Sequence, residues 1–206
     1  FWFYGATFLT QVPEFSKVIL LGDESVVIFL LTLFSVGVSI GSVLCKTLTK
    51  NKVSLRLLPF GIAGLSIFAI DLYFSLSGLD INVNNDTLLG IGDLFNISGS
   101  WRVFADLFLL GFSGGLYIVP LYASMQAYAP KSHRARIVGA NNIFNAIFMV
   151  TSAIFAIVIL NVLGFTLPQL FLVTGLLNIV FGAFLYIKLN KHIKHAVSQT
   201  NDGIAP

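Results

Sequence analysis

Six apolar runs, each about 20 residues long, constrain the fold of this chain more than any other feature. The runs cover residues 1–21, 25–45, 57–76, 101–125, 137–160 and 168–187. A helix needs about 20 predominantly apolar residues to cross a bilayer, whereas the strands of a transmembrane barrel alternate apolar with polar residues. Because these runs do not alternate, the sequence predicts an all-α membrane protein with six transmembrane helices.

Composition excludes the main soluble classes. Only 10% of the residues are charged and 56% are hydrophobic, whereas about 25% are charged in an ordinary soluble domain. Such hydrophobicity excludes disorder, and the single cysteine, Cys45, excludes a disulfide scaffold. The net charge of +3 is too small to indicate nucleic-acid binding. Phe1 lies inside an apolar run without a signal-peptide pattern, so we expect the natural start to lie upstream.

The basic residues lie on alternate loops, and this predicts the orientation of the helices. Ten of the 12 follow the second, fourth or sixth run: Lys46, Lys50, Lys52, Arg56, Lys131, Arg134, Arg136, Lys188, Lys191 and Lys194. The opposite loops carry acidic residues and no Lys or Arg: Asp23, Glu24, Asp80, Asp86 and Asp93. Since basic loops stay in the cytoplasm, we expect both chain ends there. Residues 189–206 then form a cytoplasmic basic tail that attracts anionic lipid headgroups.

Polar side chains inside the first run are one functional clue, because a polar group in hydrocarbon costs several kcal/mol unless it is paired or hydrated. This run contains Gln11, Glu14 and Lys17. Glu14 and Lys17 are three residues apart and can pair on one helix face. Pro13 predicts a break in the helix just before them. A broken, charged helix is typical of a transport path, and the alternative is a partly hydrated helix end at residues 14–21.

The third and fourth runs carry ionisable residues near their outer ends. Asp71 is either a proton-linked carboxylate or a partner for Arg102. Arg102 and Asp106 are four residues apart, so we expect them to form a pair within the helix or between helices. Gln126 adds a hydrogen-bonding group near the other end of the fourth run.

The fifth run holds three amide side chains within about a turn and a half of helix, Asn141, Asn142 and Asn145. Amides are expensive to expose to lipid. Their position just after the basic loop predicts that they line the cytoplasmic half of a cavity or contact another domain. The alternative is that they join neighbouring helices through amide hydrogen bonds.

One short sequence resembles an enzyme motif, but the histidine that its chemistry needs is missing from the predicted helices. Residues Gly111–Gly114 read G-x-S-G, which resembles the serine motif of rhomboid intramembrane proteases. That chemistry needs a histidine base beside Ser113. The histidines, His133, His192 and His195, all fall in predicted loop or tail, so small-residue packing explains the motif better. We therefore predict no enzyme activity, no metal site and no cofactor.

A loop signature connects the chain to a family. Residues 41–52 resemble the loop motif of the major facilitator superfamily, with Gly41, Lys46 and Lys50 at matching positions. The stretches 1–6 and 134–145 resemble the lysophospholipid transporter (LplT-like) branch of that superfamily, whose members are often fused to acyltransferases in bacteria. Gly41 is the glycine of this loop motif, and a glycine at this position permits close contact between helices.

The resemblance implies that the six helices are the C-terminal half of a twelve-helix transporter in a bacterial inner membrane. Such a transporter works by alternating access around a site near the membrane midplane, with the first run and the asparagines along the path. The implied partners are membrane lipids, an N-terminal six-helix half and a fused or associated acyltransferase. The alternative function is a six-helix anchor for that acyltransferase. Glu14, Asp71 and the asparagines favour transport, since an anchor gains nothing from them.

Overall fold

The computed structural model describes residues 1–50, 52–79, 81 and 88–202, and over these it is all-helical, with 83% helix and no strand. The helices are α1 (Trp2–Glu14), α2 (Glu24–Leu48), α3 (Leu58–Ser77), α4 (Ile91–Asn96), α5 (Ser100–Tyr128), α6 (Arg134–Ile157) and α7 (Leu167–Asp202). Two π-helical segments, Phe15–Ile19 and Val158–Val162, extend α1 and α6. Asp80, Asp86 and residues 203–206 lie outside the described part.

Among the described residues, five helices are long and apolar enough to cross a membrane: Glu24–Leu48, Leu58–Ser77, Ser100–Tyr128, Arg134–Val162 and Leu167–Leu185. The predicted all-helical class is thereby confirmed, and the molecule is an integral membrane protein by the length and apolarity of these helices. The first predicted span is not among the five, because α1 has only 13 residues. The count of six spans therefore stays a prediction.

The break predicted at Pro13 takes a different form in the structure. The α-helical hydrogen bonds continue through Pro13 to Glu14, and π-helical bonds then follow to Ile19. Proline has no N–H, so the carbonyl of Leu9 loses its α-helical partner, and such a deficit favours a change of helix type. The chain therefore stays helical at this point and changes from α- to π-helical hydrogen bonding.

The corner between α1 and α2 is fixed by hydrogen bonds. Leu21 adopts a left-handed φ of 50°, and its carbonyl accepts a 2.7 Å hydrogen bond from the N–H of Leu89. Asp23 caps α2, with Oδ1 accepting from the Ser25 hydroxyl and from backbone N–H groups of α2. The Ser25 hydroxyl and those N–H groups hold the pKa of Asp23 below its usual value.

The helix α5 lies at the centre of the bundle, between α2 and α3. The face of α3 that points away from α5 packs against α7. The helix α1 packs against α6. The two helices α1 and α7 meet through Phe171, whose ring stacks on Phe8 at a centroid distance of 4.6 Å and meets the edge of Phe15 at 6.0 Å. All three rings are buried. They join the α1–α6 pair to the rest of the molecule.

Four glycines allow α2 and α5 to touch backbone to backbone. They form a G-x-x-x-G pair on each helix, Gly37 and Gly41 on α2 and Gly111 and Gly115 on α5. A Cβ atom on Gly115 would lie 2.5 Å from the carbonyl oxygen of Val38 and 2.6 Å from the nitrogen of Ser42. Small residues permit such close helix contact in membranes. Gly41, which the loop motif singled out, is part of this interface.

The predicted tail is helical in the structure as far as Asp202. The helix α7 continues without interruption from the apolar segment to Asp202, so residues 189–202 extend the last helix. The division predicted at residue 188 stays a prediction, since a helix can continue from a membrane span into a tail.

Candidate functional site

Two cavities lie along the contact between α1 and α6, one near each end of the bundle. We call the end with the α2–α3 and α5–α6 loops the basic end, since Lys46, Lys50, Arg56, Lys131, Arg134 and Arg136 lie there, and the opposite end the acidic end. The basic-end cavity has a volume of about 220 Å³ and the acidic-end cavity about 800 Å³. The two cavities share α1 and α6 as walls and differ in polarity.

The basic-end cavity contains a cluster of four polar side chains from three helices: Trp2 on α1, Tyr122 on α5, and Asn141 and Asn145 on α6. The Tyr122 hydroxyl lies 3.1 Å from Trp2 Nε1, 3.2 Å from Asn141 Nδ2 and 2.8 Å from the Asn145 amide. We refer to these four residues as the amide cluster.

The orientation of the Asn145 amide follows from the groups that face it. With its nitrogen toward Tyr122, the amide would turn its N–H groups toward other N–H donors, Asn141 Nδ2 and Trp2 Nε1, and its oxygen toward the carbonyl of Asn141. With the amide turned over, its oxygen accepts from Asn141 Nδ2 at 3.0 Å, from Trp2 Nε1 at 3.0 Å and from the Tyr122 hydroxyl at 2.8 Å, and its nitrogen donates to the carbonyl of Asn141 at 3.1 Å. Asn145 is then the central acceptor of the cluster.

The structure thus brings together two of the three predicted asparagines. Asn142 is exposed and points away from the cluster, because a residue next to Asn141 lies about 100° around the helix from it. Gln126 is also exposed, one turn beyond Tyr122 on α5. Asn141 and Asn145 thus line a cavity and also form hydrogen bonds between helices, while the predicted cytoplasmic position of this cavity stays a prediction.

The acidic-end cavity is lined by both polar and apolar side chains. Its polar groups include the predicted Gln11 and Glu14, together with Thr10, Asn161 and Thr166. Its apolar lining residues are Val18, Ile19, Ala153, Ala156, Ile157, Leu160, Phe165 and Leu167. Glu14 is the one charged residue among those that line the two cavities in the described part of the chain.

Lys17 does not form the predicted pair with Glu14. Its ammonium instead lies 3.9 Å from the carboxylate of Glu24 at the start of α2. The π-helical hydrogen bonding of Phe15–Ile19 changes the rotation per residue, so the spacing of three no longer places Lys17 above Glu14. Glu14 is left facing the cavity.

The middle of the α1–α6 contact is closed between the cavities. Phe3 packs against Phe155 with ring centroids 5.3 Å apart. Ser152 and Ala156 are buried on the same face of α6 as Asn145, about two and three turns further along the helix. The closed contact separates a small aromatic and amide-lined space from a larger amphipathic one.

A second polar group lies between α3 and α5, away from the cavities. Arg102 forms a salt bridge with Asp71, its Nε donating to Asp71 Oδ2 at 3.2 Å. Asp71 and Asp106 were both considered as partners for Arg102, and the partner in the structure is Asp71 on the neighbouring helix α3. Asp106 is 3% exposed and lies 2.5 Å from the hydroxyl of Ser75.

The loop-motif lysines take no part in either ion pair of the described residues. Lys46 and Lys50 are exposed at the basic end of α2. Lys50 has a left-handed φ of 51°, which turns the chain out of α2. The motif therefore contributes Gly41 to helix packing and two solvated cations to the basic end.

Ser113, the serine of the protease-like motif, is packed between helices, and His133 lies outside the helix that carries it. Ser113 is buried on α5, where its hydroxyl contacts the Cβ position of Gly64 on α3. His133 is exposed before α6, with its Nδ1 2.9 Å from the hydroxyl of Ser132. Within the described ranges no three His, Cys, Asp or Glu side chains are grouped so that they could hold a metal ion.

Comparison with known proteins found no family model, no curated protein and no solved structure that matches this chain.

Proposed function

We propose that this chain is one half of a secondary transporter that works by alternating access. On this proposal the basic end faces the cytoplasm, and a second six-helix half packs against the α1–α6 side. The observation that carries the proposal is the pair of cavities on one helix contact, one at each end of the bundle and closed from each other at Phe3 and Phe155. A path that opens alternately to the two sides needs this arrangement.

The cavities also support a class of substrate. The large cavity combines apolar lining residues with polar ones and a single carboxylate, which suits an amphiphile whose headgroup contains an ammonium. A lysophospholipid with an ethanolamine headgroup has both an apolar chain and an ammonium, and its acyl chain would contact the apolar lining residues. We therefore propose lysophosphatidylethanolamine as the substrate, in agreement with the sequence resemblance.

The test of transport uses the natural full-length chain that contains these residues, reconstituted in liposomes with labelled lysophosphatidylethanolamine. We expect Asn145→Ala to lower uptake about tenfold, because the Trp2 and Asn141 donors lose a shared acceptor, a loss of about 1.4 kcal/mol. Asn142→Ala is the matched control, since Asn142 is exposed on the same helix outside the amide cluster. We expect the 206 residues alone to show no uptake.

Two results would contradict the proposal. One is wild-type uptake by the Asn145→Ala variant at equal expression, which would remove the amide cluster from the path. The other is a full-length chain without uptake that still retains an acyltransferase at the membrane, which would favour the anchor function.

The substrate is tested separately with Glu14→Gln, which keeps the shape of the side chain and removes its charge. We expect this variant to lose its preference for the ethanolamine headgroup over the glycerol headgroup, because a neutral amide no longer attracts an ammonium. An unchanged headgroup preference would show that Glu14 does not bind the substrate, without affecting the test on Asn145.

A further inference from the structure

The group between α3 and α5 contains a buried carboxyl group, that of Asp106, in contact with the Ser75 hydroxyl. The Ser75 hydroxyl lies 2.9 Å from the backbone carbonyl of Asp71 and 2.5 Å from Oδ2 of Asp106. A hydroxyl donates one hydrogen bond and accepts two. The Asp71 carbonyl also accepts the α-helical hydrogen bond from the Ser75 N–H, so the Ser75 hydroxyl can either donate to Asp106 or accept a hydrogen bond from it.

The charges of the group leave Asp106 without a cation in salt-bridge contact among the described residues. Asp71 and Asp106 carry two carboxyl groups, and the one guanidinium beside them, Arg102, is committed to Asp71 through Nε and a terminal nitrogen. Asp106 is 3% exposed, and an unpaired carboxylate is strongly disfavoured at such burial.

The other charged groups on the elements around α5 do not pair with Asp106. Lys46 is exposed at the basic end of α2, at the opposite end of the bundle from Asp106. Asp93 on α4 accepts from the N–H of Gly90. At the start of α2, Asp23 accepts from Ser25, and Glu24 pairs with Lys17. In the part of the chain that the structure describes, none of these supplies a cation to Asp106.

We propose that Asp106 is a proton-binding site that holds its proton at neutral pH. The Asp106 carboxyl donates to the Ser75 oxygen, and the Ser75 hydroxyl donates to the carbonyl of Asp71, so each acceptor has its donor. Release of the proton leaves a buried anion beside the Asp71 carboxylate. The site does not depend on the proposed transport function, because it is defined by groups outside both cavities.

The proposal is tested by infrared spectroscopy of the purified chain in lipid nanodiscs at neutral pH. We expect a protonated-carboxyl band in the wild type that is absent in Asp106→Asn. The asparagine has the shape of the protonated acid and can donate to Ser75, so this variant is expected to fold. Asp93→Asn is the matched control, an exposed carboxylate whose removal leaves the band unchanged.

A second variant tests the reason for the proton. In Asp71→Asn the guanidinium of Arg102 is free to pair with Asp106, one helical turn away. We expect Asp106 to ionise and the band to disappear at neutral pH. A wild-type spectrum without the band overturns the proposal, and a band that persists in Asp71→Asn overturns the sharing of one cation by two carboxyl groups.

Discussion

The contact between α2 and α5 predicts a large effect from one added methyl group. In Gly115→Ala the new Cβ lies 2.5 Å from the Val38 carbonyl oxygen and 2.6 Å from the Ser42 nitrogen. Ordinary contact between such atoms begins at about 3.5 Å. Since both neighbours are helix backbone, neither can rotate away, and the two helices must separate by about 1 Å over this contact.

The energy of the change has two opposing parts. Overpacking of a close contact costs about 1–3 kcal/mol, and replacing glycine by alanine within a helix returns about 1 kcal/mol. We therefore expect Gly115→Ala to lower the free energy of unfolding by up to about 2 kcal/mol. Gly139→Ala measures the gain in helix propensity alone, because a Cβ atom at this position has nothing within 4 Å. That control is expected to be unchanged or more stable.

The two variants are compared by denaturant or thermal unfolding in the same detergent. Both substitutions gain the same helix propensity. A lower free energy of unfolding for Gly115→Ala than for Gly139→Ala therefore measures the cost of the close contact alone. Equal stability of the two variants would refute the backbone-to-backbone contact and with it the placement of the four glycines.

Two further predictions concern stability. Asp23→Ala is expected to lower the melting temperature through loss of the α2 cap, whereas Asp23→Asn keeps the cap and removes its pH dependence. Because the folded pKa of Asp23 is lowered, its contribution is complete above about pH 3.9 and is lost as the pH falls through the folded value, which an acid titration of melting temperature checks. Phe171→Ala is expected to cost about 3 kcal/mol in unfolding, since the ring is 1% exposed between two others. Phe181→Ala on the same helix, where the ring is 67% exposed, is expected to leave unfolding unchanged.

The helices were predictable because length and apolarity are local properties of the sequence. The run at residues 25–45 corresponds to the helix Glu24–Leu48, and the run at 57–76 to Leu58–Ser77. The first run fails this simple correspondence. Pro13 removes one donor there, and whether the chain then unwinds or changes helix type depends on what packs around it. Phe15 is fully buried against Phe171, and that contact is not visible in the sequence.

The amide cluster was predictable only in part. The spacing of Asn141 and Asn145 placed both on one helix face, and they lie together in the structure. Their partner Trp2 is 120 residues from Tyr122 in the chain, so no local pattern could connect them. A tryptophan in an apolar run must find an acceptor for its N–H, and that requirement was the available signal.

Charge spacing on one helix was a poor guide to the partners of Arg102. A separation of four residues placed Arg102 and Asp106 on one face and predicted that they pair. In the structure the guanidinium of Arg102 pairs with Asp71 on α3, a helix that packs extensively against α5. The same packing buries Asp106 beside Ser75, where the sequence showed only an acidic residue near a membrane surface.

The distribution of close contacts indicates which part of the molecule can change shape. The helices α2 and α5 meet through backbone atoms, and a tight backbone contact has no alternative arrangement at nearby distances. The α1–α6 contact is made instead by the rings of Phe3 and Phe155, which can rotate, and it is bordered by cavities of about 220 and 800 Å³. If the bundle moves during transport, the α1–α6 contact is therefore the one that opens, and the α2–α5 pair moves as a unit.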